Sequence, residues 1–165
     1  MQYNEVILTI PDPEAMRRLG RWLGEHLCPG DVLALTGDLG AGKTTLTQGI
    51  ALGLGVPEHI YLTSATFTMI QEYPGRIPLF HVDLYRLEKG VDPWSLGLEE
   101  ILYGSGLVVI EWADFLPQNY LKDHLELAIT FMGETFRQVS IKSYGHRYEG
   151  VLGKLNKGSR TILNP

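Results

Sequence analysis

Gly37-Asp38-Leu39-Gly40-Ala41-Gly42-Lys43-Thr44 satisfies every fixed position of the phosphate-loop pattern G-x-x-x-x-G-K-[ST]. Working outward, Asp31-Val32-Leu33-Ala34-Leu35-Thr36 is a short, apolar, β-capable run, and Thr45 to Leu52 carries apolar residues at 46, 50 and 51, as a helix would. Strand, loop and helix in that order are the context the pattern needs. A chance match in a chain of this size arises in roughly one case in a hundred or fewer. A loop that wraps a polyphosphate turns its amides inward, which calls for glycine at positive φ, here Gly37, Gly40 and Gly42. A helix opening at Lys43 adds the positive end of its dipole. Lys43 can then reach the β- and γ-phosphates, and Thr44 can offer its hydroxyl to Mg²⁺. Asp38, Leu39, Ala41 and Thr45 complete the expected nucleotide-binding stretch.

The 165 residues fit one domain, 1–165, able to bury a core without disulfide or metal staples. The single cysteine, Cys28, has no internal partner, no apolar run is long enough to span a bilayer, and Met1-Gln2-Tyr3-Asn4-Glu5 lacks a basic leader, so the expected location is cytoplasmic, with no membrane. A formal charge of −5 with scattered Lys and Arg argues against a chain that grips nucleic acid by itself; any contact with RNA is expected to be indirect.

Glu5 to Ile10 reads as a first strand, and Asp12-Pro13-Glu14 as the start of a helix that runs to about Leu27 with Met16, Leu19, Leu23 and Leu27 as its buried stripe and Trp22 in the core. After the loop helix, Tyr61 to Phe67 is a hydroxyl-rich segment suited to a mobile loop near phosphate. Thr68–Tyr73 and Leu79–Asp83 predict a hairpin around Pro74 to Pro78. Asp92-Pro93 opens a short helical segment with Trp94, Leu96, Leu98, Ile101 and Leu102 on its apolar side, and Leu107 to Ile110 predicts a central strand buried on both faces. Leu125–Phe131 and Arg137–Ile141 predict a second hairpin, and Tyr148–Leu155 a short terminal helix. The fold class expected is α/β, a P-loop NTPase-like three-layer fold with a mixed, partly antiparallel central sheet.

Two apolar strands end on carboxylates, Asp83 and Glu111. In open α/β sheets ligands lie at the carboxyl ends of strands, so either can hold Mg²⁺ while the other orients the attacking water. His81 falls on the Asp83 face and reads as structural, and Arg86 as a salt-bridge partner or a phosphate contact. Thr63, Ser64 and Thr66 are candidate γ-phosphate sensors. Asn156-Lys157-Gly158-Ser159 lacks the aspartate of N-K-x-D, which leaves adenine favoured over guanine by elimination.

Taken together, the phosphate loop with Thr45-Leu46, Thr63-Ser64-Ala65-Thr66-Phe67, His81-Val82-Asp83-Leu84-Tyr85-Arg86-Leu87, Gly97-Leu98-Glu99-Glu100 and Val109-Ile110-Glu111-Trp112-Ala113 resembles the TsaE family, small bacterial ATPases of tRNA N6-threonylcarbamoyladenosine biosynthesis. The resemblance implies ATP and Mg²⁺ as cofactors. It implies Lys43, Asp83 and Glu111 as catalytic groups, Thr44 and Glu111 at the metal, and Ser64 and Thr66 in a switch segment. It further implies slow hydrolysis within a complex with a TsaD-type threonylcarbamoyl transferase and its TsaB-type paralogue, resetting that complex between turnovers and touching tRNA only indirectly. Where the family has S-P-T-[FY], this chain has Ala65 in place of proline, which predicts a more mobile loop. The competing readings are a small-molecule kinase and a nucleotide-binding module without turnover. A kinase lid would gather several arginines, but Arg17, Arg18 and Arg21 share one early helix and Arg137, Arg147 and Arg160 are dispersed.

Overall fold

The structure, a computed structural model, describes residues 5–66, 68–87 and 92–165. Phe67 of the loop motif and Met1 to Asn4 at the chain start lie outside them. Seven strands form one mixed sheet: β1 (Glu5–Ile10), β2 (Val32–Thr36), β3 (Ile70–Tyr73), β4 (Leu79–Asp83), β5 (Leu107–Glu111), β6 (His124–Phe131) and β7 (Arg137–Tyr144), in the order β1-β7-β6-β2-β5-β4-β3. β2 pairs in parallel with β5 and β6, and β4 in parallel with β5, while β1/β7, β6/β7 and β3/β4 are antiparallel. Both predicted hairpins are present.

Side-chain alternation divides the sheet between two cores. The larger one gathers Val6, Leu8, Ile10, Leu33, Leu35, Leu125, Leu127 and Ile141 under α1 (Pro13–His26), α2 (Lys43–Gly53) and α4 (Glu149–Leu163). The smaller lies on the other face, where Val32, Val82, Val108 and Ile110 meet Leu84, Leu87 and Leu98, the last on the short α3 (Leu98–Leu102). β5 is buried at all five positions, as a strand covered on both faces must be. Among the described residues no helix is long and apolar enough to cross a membrane.

The first helix starts as its residues dictate. Asp12 accepts a hydrogen bond from Ala15 N at 2.7 Å, and Pro13 occupies the first turn. The same helix carries Gly20 and Gly24, and α2 carries Gly49 and Gly53. A Cβ on Gly20 would lie 2.3 Å from the Leu46 carbonyl oxygen, and one on Gly49 would lie 2.3 Å from that of Arg17. The two backbones therefore interlock, and α1 fixes the helix that carries the phosphate loop. Trp22 is only partly buried, packed against the larger core and stacked on His26 at 4.0 Å.

The segment after Asp92 and the terminal helix differ from expectation. The segment after Asp92 divides into a 3₁₀ turn, Pro93–Leu96, and α3, because Gly97 adopts φ 73° between them. Trp94 is 54% exposed and tilted against Tyr120 instead of joining the apolar side. The terminal helix continues eight residues past the predicted end at Leu155, since Leu163 is buried and the Arg18 guanidinium donates to the Ile162 and Leu163 carbonyls at 3.3 and 2.6 Å. Asn156 to Ser159 thus lie within a helix.

Candidate functional site

The chemistry gathers where β2, β4 and β5 end. The loop from Gly37 to Gly42 turns through positive φ at Gly37 (147°), Gly40 (78°) and Gly42 (116°). At Gly37 a side chain is excluded twice, by conformation and by the Ile129 carbonyl 2.6 Å from where its Cβ would sit. Gly42 leads into α2, whose first turn has no side-chain cap, so the amides and positive dipole end of an eleven-residue helix face the loop.

Lys43 folds back over this loop. Its Nζ donates to the Gly37 and Asp38 carbonyls at 2.5 and 2.9 Å and lies 3.9 Å from the centre of the Trp112 ring. Burial pushes its ammonium below the ordinary lysine value, against the pull of Glu111, Asp114, Asp83 and Asp38. Thr44 Oγ1 donates to Glu111 Oε2 at 3.1 Å, joining residues 67 apart in sequence. The other oxygen, Oε1, is 2.7 Å from His81 Nε2 and 3.1 Å from Thr47 Oγ1. Asp83, paired with Glu111 across the parallel β4–β5 register, has a different set of partners. Its Oδ2 accepts from Ser64 Oγ at 3.1 Å and Thr66 Oγ1 at 2.9 Å, and Oδ1 from Tyr85 N at 2.9 Å.

Sequence alone left open which carboxylate faces which group. Here Glu111 belongs to the first turns of α2 and Asp83 to the hydroxyl-rich loop. Both are almost completely enclosed, at 2% and 1% exposure. A cleft of about 310 Å³ is lined by Lys43, Thr44, Thr45, Ser64, Thr66, Asp83, Glu111 and Trp112, with Leu39, Gly40, Gly42 and Tyr85 completing its wall. A second cavity of about 150 Å³ lies beside Thr45, Gly40 and Ala41, between Asp12, Met16, Glu134 and Arg137. Cavities of about 570 and 330 Å³ elsewhere include no residue of the phosphate loop.

Leu39, Gly40, Gly42, Lys43, Thr44 and Thr45 of the expected loop therefore share one cleft with Asp83, Glu111, Ser64 and Thr66, while the Gly37 and Asp38 carbonyls hold the Lys43 ammonium and Ala41 lines the second cavity. Thr63 and Arg86 are exposed, and neither lines the cleft. Thr47 and Arg137 were not anticipated. Thr47 stands one helical turn beyond Lys43, which is the signal that places it on the site face. Arg137 donates to the Ala41 carbonyl at 3.0 Å from 96 residues away, and no local pattern announces that contact. Trp112, at φ 59°, is a left-handed non-glycine residue immediately after Glu111.

A mixed α/β sheet with a glycine-rich loop between its central strand and an adjoining helix, with one strand-end carboxylate at that helix and a second lining the same cleft, defines a P-loop-like protein. The chain belongs to the TsaE family. The sequence profile described as "Threonylcarbamoyl adenosine biosynthesis protein TsaE" matches residues 10–139. The tRNA threonylcarbamoyladenosine biosynthesis protein TsaE of Bacillus subtilis (strain 168) is 38% identical over 147 residues, 88% of this chain and 90% of that one. Its namesake from Nostoc sp. is 44% identical over 140 residues, 82% and 84% of the two chains. The crystal structure of Bacillus subtilis YdiB superposes with a TM-score of 0.79 at 32% identity, covering 96% of this chain and 99% of that one.

Proposed function

We propose that the protein binds and slowly hydrolyses Mg²⁺-ATP as part of the machinery that makes N6-threonylcarbamoyladenosine on tRNA. The observation that carries this reading is the contact of Thr44 Oγ1 with Glu111 Oε2 at the head of the loop helix. A hydroxyl that gives its proton to a buried carboxylate keeps a lone pair free for a hard cation, and such a cation suits oxygen donors of this kind. Among the described residues no group of three or more His, Cys, Asp or Glu side chains forms a metal site. Mg²⁺ held by one or two protein oxygens together with phosphates and water requires none.

In this reading Thr44, backed by Glu111, holds the metal, which when bound offsets the charge of the β- and γ-phosphates. Lys43 leaves the Gly37 and Asp38 carbonyls for the phosphates, a stronger, charge-assisted partner. The adenosine part lies in the cavity beside Thr45, and adenine is preferred over guanine. Asp83 holds Ser64 and Thr66 at the cleft, where they sense the γ-phosphate, and so serves turnover through the loop. Partners of the TsaD and TsaB types supply the modification chemistry and most of the tRNA contact, and hydrolysis resets their complex in the cytoplasm.

The test is ATP hydrolysis by the protein alone, then with TsaD-type and TsaB-type partners and tRNA. Slow basal turnover raised by the protein partners is expected, with Lys43→Ala abolishing tight ATP binding. Absence of hydrolysis under all these conditions, or stimulation by an acceptor metabolite instead, refutes the proposal.

A further inference from the structure

His81 stands on β4 two residues before Asp83 and on the same face, with no exposed surface. Its Nε2 is 2.7 Å from Glu111 Oε1, and since a carboxylate only accepts, Nε2 is the protonated nitrogen of the pair. Its Nδ1 is buried and has no hydrogen-bond partner among the described residues. Burying a polar atom unpaired costs free energy, and an apolar side chain of similar volume would fill the same space without that cost. What the imidazole provides that such a side chain cannot is the donor to Glu111.

The surroundings of Glu111 show why that donor matters. Oε2 accepts a hydrogen bond from Thr44 Oγ1. Oε1 has two neighbours, but Thr47 Oγ1 has a single proton and is nearer to the Lys43 carbonyl, at 2.9 Å, than to Oε1, at 3.1 Å. His81 is thus the donor on Oε1 with no competing acceptor among the described residues. Its backbone is fixed by the β4–β5 register, which pairs His81 with Val109 and Asp83 with Glu111. A carboxylate tied at Oε1 to the sheet cannot rotate, so Oε2 stays directed at α2.

We propose that His81 is a positioning residue: through Nε2–H it fixes the Glu111 carboxylate so that Thr44 keeps its hydroxyl oriented for the metal of a bound nucleotide. The inference rests on the function proposed above and adds to it a residue that touches neither metal nor nucleotide. Groups that orient a metal-holding residue change metal affinity or activity by about 10–100-fold when removed.

The experiment is ATP affinity measured by calorimetry in Mg²⁺ and in EDTA, with turnover in the presence of the protein partners. His81→Phe keeps a ring but no donor. It should lower the affinity gained from Mg²⁺ by about 10-fold, leave the affinity in EDTA near wild type, and reduce turnover by about 10–100-fold. His81→Gln, whose amide reaches the position of Nε2, should restore most of the Mg²⁺ gain, and His81→Asn, one carbon shorter, should not. Parallel loss of affinity in Mg²⁺ and EDTA, unrelieved by glutamine, would mean packing alone and overturn the proposal. If His81→Phe fails to fold, the Gln and Asn variants decide, equal Mg²⁺ gains in the two being the overturning result. Thr44→Ala separates this inference from its foundation. If it retains the full Mg²⁺ gain, the metal reading fails and this inference with it. If it loses the gain while His81→Phe and His81→Asn keep it, the His81 inference alone is wrong.

Discussion

At the foot of β2, Asp31 gives one carboxylate oxygen to the Arg147 guanidinium and the other to the Cys28 N–H, while the Tyr148 hydroxyl accepts from Val32 N at 2.9 Å. At its head, Lys43 rests against two backbone carbonyls and an indole face, and Asp83 and Glu111 are occupied by hydroxyls and an imidazole. Both ends bury charge. At the foot, opposite charges meet: Asp31 raises the Arg147 guanidinium above its ordinary value, and burial pushes the Tyr148 phenol up to about 12. At the head, Lys43 and the two carboxylates make no hydrogen bond to one another; their partners are backbone groups, hydroxyls and one imidazole. A neutral partner is one that a phosphate or a metal can displace. Saturated charge marks the structural end, and charge held in reserve marks the end that binds.

The largest effect expected from this contrast is on turnover. Glu111→Gln and Asp83→Asn should each lower partner-stimulated ATP hydrolysis by about 10²-fold or more, because positioned charge at the transferring phosphoryl group carries most of the catalysis. Thermal denaturation should show both variants folded. Steady-state rates as fast as wild type would break the assignment of the head as the working end.

The foot should answer in stability and not in turnover. Arg147→Met leaves the Asp31 carboxylate, 4% exposed, with the Cys28 N–H as its remaining hydrogen-bond donor among the described residues, at a cost of about 1–2 kcal/mol. The value is kept low because the Arg147 side chain is 45% exposed and water screens the pair. Urea titration reads the loss, and ATP affinity should be unchanged. A selective fall in affinity at equal folded fraction would show that the two ends are coupled.

How much of this could be read from the chain depended on sequence distance. The phosphate loop is contiguous, so its glycines, Lys43 and Thr44 were legible as a unit, and β-strands that end in a carboxylate announce Asp83 and Glu111 locally. That Glu111, and not Asp83, meets Thr44 depends on the pairing order β2-β5-β4, which no local pattern encodes. The interlock of Gly20 and Gly24 with Gly49 and Gly53 was not legible, because each glycine has meaning only opposite the other helix. Met16, Leu19 and Leu23 were readable as the buried stripe of α1, since hydrophobic periodicity needs no partner to be recognised. The end of α4 was not, because the groups that hold it, Leu163 in the core and Arg18 on its last carbonyls, lie outside the local pattern.

The smallest effect is a proton, and its sign follows from burial at the head. Lys43 in the free protein titrates below the ordinary lysine value of 10.5 because desolvation disfavours the ammonium more than the nearby carboxylates favour it. Between that lowered value and 10.5 the folded state binds fewer protons than the unfolded one, so this residue's penalty on stability is relieved as pH rises through the window. A triphosphate beside Lys43 acts in the opposite direction: it favours the charged form and raises the value again. ATP binding at a pH of about 9.5 should therefore take up a fraction of a proton, and near pH 7, where lysine is charged with or without ligand, this residue should contribute none. Calorimetry in two buffers of different ionisation enthalpy reads the uptake directly. Arg147→Met should show the same uptake as wild type, since the foot does not contact the ligand. Equal binding enthalpies in both buffers at the higher pH would mean that Lys43 does not exchange its carbonyl partners for phosphate.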